Sequence, residues 1–246
     1  MQNEKEQAGK VALVLGGSRG IGAAIVTRLA ADGAKVAFTY SASPDRAEAL
    51  VAKLAQEQSE AIALQADSGN AAAVKAAVDQ TTQRFGRLDI LVVNAGIMHM
   101  GTIDKVTLED FDRTVAVNVR GVFTALHYAA PHLSQGGRII TIGSNVAVRV
   151  GFPGASVYAM SKAAVAALVK GAAIDLAPRA ITVNNIQPGP TTTDMTKEIA
   201  ELVLPLVPLG RMGETREIAG LVSYLAREEA GFVTGASLTI DGGYSV

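Results

Sequence analysis

Lys10-Val-Ala-Leu-Val-Leu15 is a short run of valine and leucine, followed at once by Gly16-Gly17-Ser18-Arg19-Gly20-Ile21-Gly22 and then by Ala23-Ala-Ile-Val-Thr-Arg-Leu-Ala30. The order is strand, glycine turn, helix. Glycine permits turn angles closed to other residues, lets the main chain approach a pyrophosphate, and leaves the N–H groups of the next helix aimed at the anion. The spacing Gly-x-x-x-Gly-x-Gly is one residue longer than the common dinucleotide fingerprint and carries little weight without its context.

Outward from the turn, Ala34-Lys-Val-Ala-Phe-Thr-Tyr40 predicts a second strand, and Ser43-Pro44 predicts an N-cap and first residue of a helix reaching about Gln58. A third strand over 61–65 leads to Asp67-Ser68 and a helix ending near Gly86. A fourth, 88–93, runs into Asn94-Ala95-Gly96. A helix over about 108–133, a strand ending at Ser144, a helix carrying Tyr158, and strands at 181–186 and 237–240 continue the alternation. Before the last strand, Ile218, Leu221, Val222 and Leu225 mark a helix with one apolar face. This alternation predicts an α/β fold: a Rossmann-type, doubly wound parallel β-sheet flanked by helices on both faces. Residues 10–246 are expected to form a single domain behind a polar N-terminal tail, 1–9. The irregular stretch 190–213 reads as a substrate lid or as a static connection.

Composition narrows the partners. A net charge of -1 with 18% charged residues provides no basic stripe for nucleic acid. Cysteine is absent, so disulfides, thiolate metal sites and cysteine nucleophiles are excluded. His99, His127 and His132 lack ligand spacing, and no metal is expected. Residues 1–7 lack the basic start and apolar core of a signal peptide, and no apolar run approaches the ~18 residues of a membrane span. The expectation is a cytoplasmic protein with neither membrane nor nucleic-acid partner. The helices at 115–130 and 155–173 are apolar or small almost all round, which predicts burial on every side, against copies in another subunit or under a covering loop.

Chemistry concentrates between Ser144 and Lys162. Arg138-Ile-Ile-Thr-Ile-Gly-Ser144 reads as a buried parallel strand delivering Ser144 to the crevice at its carboxyl end. Tyr158 and Lys162, four apart on a helix, share one face, so the ammonium is expected to favour the ionised phenol. Read together, Gly16-x-x-x-Gly20-Ile21-Gly22, Asp67, Asn94-Ala95-Gly96, Asn118, Ser144, Tyr158-x-x-x-Lys162 and Pro188-Gly189 resemble the short-chain dehydrogenase/reductase family, and within it the 3-oxoacyl-acyl-carrier-protein reductase-like branch. The resemblance covers the chain from Lys10 to Asp241-Gly-Gly243. It departs at Leu15, where threonine is usual, and at Val93, where asparagine is usual. Both departures remove a polar group that helps to lock the turns.

The resemblance implies carbonyl reduction with Tyr158 as general acid/base, Ser144 bonding the same oxygen, Lys162 lowering the phenol pKa and holding ribose hydroxyls, and Asn118 supporting a water relay to the lysine. It implies a dinucleotide with its pyrophosphate at Gly16, Ser18, Arg19, Gly20, Ile21 and Gly22, and its adenine beside Asp67 and Ser68. The rest of the dinucleotide would run past Asn94, Ala95 and Gly96, with nicotinamide near Pro188, Gly189, Thr191 and Thr193. It also implies a homotetramer. No carboxylate stands at Thr39-Tyr40-Ser41-Ala42, where NAD-specific sites place one. Arg19, Ser41, Ser43 and Arg46 lie there instead, which predicts NADP(H) over NAD(H). The expected substrate wall, 145–155 with Met98, His99 and 192–212, is apolar. Its Arg149 and Arg211 meet either a phosphopantetheine or carrier-protein acid, or only solvent. The rival reading is a nucleotide- or signal-binding protein without turnover.

Overall fold

A computed structural model describes residues 5–246. Val11–Leu15 (β1) is buried along its whole length, as a strand covered on both faces must be. It lies between Lys35–Tyr40 (β2) and Leu88–Val93 (β4), pairing in parallel with each. With Ala61–Gln65 (β3), Leu133–Ile142 (β5), Thr182–Pro188 (β6) and Ser237–Ile240 (β7), the seven-stranded sheet has the order β3-β2-β1-β4-β5-β6-β7. The direction of winding reverses between β1 and β4, and a crevice opens there at the carboxyl ends of the strands.

Helices cover both faces. On one, Ile25 and Leu29 of Gly20–Ala31 (α1) and Ile218, Val222 and Leu225 of the helix Thr215–Ala226 pack over Val14, Phe38 and Ile140. Between them in the chain come Pro44–Gln56 (α2), Ala71–Phe85 (α3), Leu108–Val115 (α4), Gly121–Ala129 (α5), Ser156–Leu176 (α6) and the short Ala200–Val203 (α7), which makes Thr215–Ala226 α8. On the other face Val74 of α3, Val122 of α5 and Val165 and Val169 of α6 pack over Leu13, Leu91 and Ile139.

Several local expectations need correction. The predicted helix over 108–133 contains a π-helical turn, Ala116–Arg120, with buried Asn118 inside it, and by Leu133 the chain is already in β5. Ser43 stands at the N-cap of α2 without a side-chain cap bond, so Pro44 alone marks that start. The stretch Ser156–Arg179 does have the length and apolarity of a membrane span, contrary to the reading of the sequence. Its Val165, Val169 and Ala173 nevertheless pack in the core against the sheet. On the two apolar helices Phe123 and Met160 are exposed within one chain, so no described loop of this chain covers them, and only the covering-loop alternative is set aside. Of the polar stretch 1–9, residues 1–4 lie outside the described residues. The rest forms a docked turn in which Gln7 is buried and its backbone N–H donates to Asp32 O at 2.8 Å.

Candidate active site

At the crevice, the glycine turn is held from both sides. The Gly16 N–H donates to Thr39 Oγ1 at 2.9 Å, and Gly17 N–H to Thr39 O at 2.8 Å. Asn94 Nδ2 donates to Gly16 O at 2.7 Å, while the N–H groups of Asn94 and Ala95 both reach Leu15 O. Thr39 and Asn94 therefore supply polar locks to the turn despite the departures at Leu15 and Val93, which are themselves buried apolar residues. Close packing enforces glycine here: a Cβ on Gly22 would lie 2.0 Å from Gly16 O, and one on Gly16 would lie 2.8 Å from Ala95 Cα. The first turn of α1 has no side-chain cap, so its N–H groups are free for an anion.

These groups line a cavity of about 310 Å³. Gly16, Ser18, Arg19, Gly20 and Ile21 stand at one end with Tyr40, Ser41, Asp67 and Ser68, and Asn94, Ala95 and Gly96 form the middle. Ser144, Tyr158 and Lys162 also line the cavity, as do Pro188, Gly189, Thr191 and Thr193, the last of these across from Gly20. Four residues expected at the cofactor or the reaction, Gly22, Ser43, Arg46 and Asn118, are not on the lining. Gly22 packs behind the turn, and Asn118 is a buried strut whose Oδ1 accepts from Ile97 N–H and whose Nδ2 donates to Ile97 O, both at 2.9 Å. That Nδ2 also reaches Ser161 Oγ at 3.1 Å, and Ser161 Oγ donates to Tyr158 O at 2.7 Å, which ties the loop after β4 to the tyrosine's own helix. The π-helical turn places the Asn118 amide among these buried groups, where a fully paired amide is tolerated.

Tyr158, half-buried, lines the cavity together with Ser144. Burial pushes the phenol up to about 12, and Ser144 pulls only part of the way back. Lys162 Nζ donates to Ile142 O at 3.0 Å and lies 5.7 Å from the centre of the Tyr158 ring, while burial pushes the amine down to about 8. The shift runs opposite to the lowering expected from the ammonium, with burial as its main cause and no contribution from Lys162, and the tyrosine is a protonated donor at neutral pH. Asn118 Oδ1 and Lys162 Nζ each lie 3.4 Å from the point where a Cβ on Gly96 would sit, so glycine there keeps the space between them clear.

Sequence reasoning missed other participants. Arg113 of α4 lines the cavity and donates to Asp67 Oδ2 at 3.0 Å, and the Gly69 N–H and this guanidinium hold the Asp67 carboxyl below its usual range. Tyr244 lines the cavity too, packed with Phe152, Ile199 and Val203, which belong to the expected substrate wall. The hydroxyl of Thr39, within an otherwise apolar strand, was the one local signal for any of these. The arginines of the predicted substrate wall are engaged inside the chain: Arg149 Nη1 donates to Tyr244 O at 2.6 Å, and Arg211 grips Glu217 at 2.7 and 2.8 Å.

A reversal crevice built for a pyrophosphate, with a proton donor on its lining, defines the dinucleotide-dependent oxidoreductases as a class. A family model described as enoyl-(acyl carrier protein) reductase matches residues 16–245. The chain belongs to the short-chain dehydrogenase/reductase family and is an NAD(P)-dependent oxidoreductase. Among solved structures it is similar to a short-chain dehydrogenase/reductase from Serratia marcescens, at 55% identity and a TM-score of 0.96 over 98% of this chain and 100% of that one. It is also similar to a Burkholderia cenocepacia short-chain dehydrogenase solved in complex with NADP, at 48% identity and 0.96 over the same shares. Curated relatives include the cyclic-di-GMP-binding biofilm dispersal mediator protein of Escherichia coli, 43% identical over 96% of this chain and 97% of that protein. A versicolorin reductase of Emericella nidulans is 41% identical over 96% and 95%.

Proposed function

We propose that this enzyme reduces a ketone, of 3-oxoacyl or similar apolar type, to a secondary alcohol, with NADPH as its preferred cofactor. The observation that carries the reading is the convergence of Ser144, Tyr158 and Lys162 on the lining of the cavity that the glycine turn also lines. NADPH, when bound, supplies the hydride. Tyr158 then gives its proton to the oxygen on which negative charge develops, and Ser144 donates a hydrogen bond to that oxygen. Lys162, next to Tyr158 and held by Ile142 O, binds ribose hydroxyls and offers positive charge beside the tyrosinate left behind. Asn118 acts through position, since its side chain bridges Ile97 and Ser161. The cradle fits the cofactor: glycines keep it free of side chains, and the uncapped start of α1 offers N–H groups to a pyrophosphate. Segment 190–213 serves as the lid, with Ile199 and Val203 on the cavity lining.

The substrate is read as a free small molecule, because Arg149 and Arg211 are occupied within the chain and the wall they stand in is otherwise apolar. Loss of NADPH absorbance across a panel of ketones tests the reading. No turnover with any ketone, together with tight nucleotide binding, would favour the second reading, a nucleotide- or signal-binding role, which the cyclic-di-GMP-binding relative keeps in view.

Preference for NADPH rests on Arg19, Ser41 and Arg46 and on the lack of a carboxylate at the end of β2. Arg19→Ala is expected to lower kcat/KM for NADPH about 10-fold or more while leaving NADH nearly unchanged, as charge-assisted phosphate bonds require. Tyr40→Asp is expected to turn the preference toward NADH. Equal kcat/KM for both cofactors in the native protein would sink the assignment.

A homotetramer is the proposed assembly. Phe123, stacked on His127 at 5.8 Å, and the exposed Met160 and Ile174 form apolar faces on α5 and α6 that a second copy would cover. Sedimentation at micromolar protein is expected to give a mass several times 25.4 kDa. A lone 25.4 kDa species would refute the buried-face argument.

A further inference from the structure

The start of the 190–213 segment lies directly across the glycine turn. A Cβ on Gly20 would sit 3.5 Å from Thr193 Cγ2, and the residue after Thr193 is an acid. Asp194 Oδ2 accepts from Arg46 Nη1 at 2.7 Å and lies 3.9 Å from Arg19 Nη1. These are the two arginines to which the cofactor reading assigns the 2′-phosphate, one from the turn before α1 and one from the first turn of α2. Among the described residues, no other ion pair joins segment 190–213 to that end of the cavity. The segment holds the acid in place from behind. Thr192 N–H donates to Gly213 O at 2.9 Å, Thr193 N–H to Thr196 Oγ1 at 3.2 Å, and Thr196 Oγ1 to Thr191 O, so the base of the loop is closed on itself.

We propose that Asp194 is an internal stand-in for the 2′-phosphate: its carboxylate occupies the Arg19–Arg46 pair and must be displaced by NADP(H), which unlatches the start of the lid. The inference rests on the NADPH reading. An exposed carboxylate and a dianionic phosphate cannot both hold the same guanidinium groups at bonding distance without repelling each other. NAD(H), with a hydroxyl in place of the phosphate, has no group that competes for them, so it binds with the latch closed. Asp194 is thereby a residue that sets cofactor preference from the lid, and it weakens the preference that the arginines create. Lys197, three residues on, adds positive charge beside the displaced carboxylate.

Calorimetric binding of adenosine 2′,5′-bisphosphate and of 5′-AMP to the full chain separates the phosphate from the rest of the cofactor. Asp194→Asn is expected to tighten the bisphosphate about three- to five-fold, the range of an exposed ion pair, and to leave 5′-AMP unchanged. In an Arg19→Ala/Arg46→Ala background the same substitution should have no effect, because both contested groups are gone. Amide exchange across 191–197 should rise on addition of the bisphosphate to the native protein and not on addition of 5′-AMP. Unchanged affinity for the bisphosphate in Asp194→Asn, or equal tightening of both ligands, overturns the latch and leaves NADPH preference standing. Equal affinity of the native protein for the two ligands overturns the preference itself, and the latch with it.

Discussion

Tyr158→Phe is expected to lower kcat for ketone reduction by ~10²–10⁴-fold, the usual contribution of a positioned acid, while the Kd for NADPH stays within a few-fold. The substitution removes one hydroxyl and almost no volume from a residue held by the packing of α6. The lost group is the proton itself. Burial keeps the phenol protonated up to about 12, so no pH in the working range substitutes for it by ionisation. Ser144 remains beside the substrate oxygen in the variant, which accounts for some residual rate. A Phe variant with near-native kcat would remove Tyr158 from the reaction and would leave the ligand-binding reading of this crevice as the better one.

Lys162→Met is expected to remove turnover and weaken NADPH binding while raising thermal stability. Moving an amine from 10.5 to about 8 corresponds to ~3 kcal/mol against its charged form. Replacing it relieves that cost and leaves Ile142 O without its partner, at about 1–2 kcal/mol. The net gain of about 1–2 kcal/mol at pH 7 amounts to an increase of roughly 2–8 °C in Tm for a domain of this size. The sign with pH follows from the depressed value. Between about 8 and 10.5 the folded lysine has released a proton that the unfolded chain still binds, so native stability rises through this window and is lost as pH falls through about 8. The gap between native and Met variant should therefore narrow from pH 8 upward. Lys170→Ala, on the exposed side of the same helix, should change neither activity nor this pH dependence. A Met variant that melts below the native protein at pH 7 would contradict the cost assigned to the buried charge.

The succession of short apolar runs and helical segments was enough to define the α/β sheet, because strands covered on both faces must be apolar throughout and each glycine turn marks a strand-to-helix corner. Ser144, Tyr158 and Lys162 were legible because each sits at a position that topology makes unavoidable: a strand's carboxyl end, and one face of the helix that follows. Contacts between distant segments were not legible. Thr39 locking Gly16, Arg113 gripping Asp67 and Asp194 meeting Arg46 join residues separated by 23, 46 and 148 positions, and no local period encodes them. The state of the proton was also a tertiary matter. Helical spacing placed an ammonium near a phenol and implied a lowered pKa, but the sign depends on how much water the fold removes. In this crevice burial acts on both groups, and it leaves the tyrosine protonated and the lysine poised near neutrality.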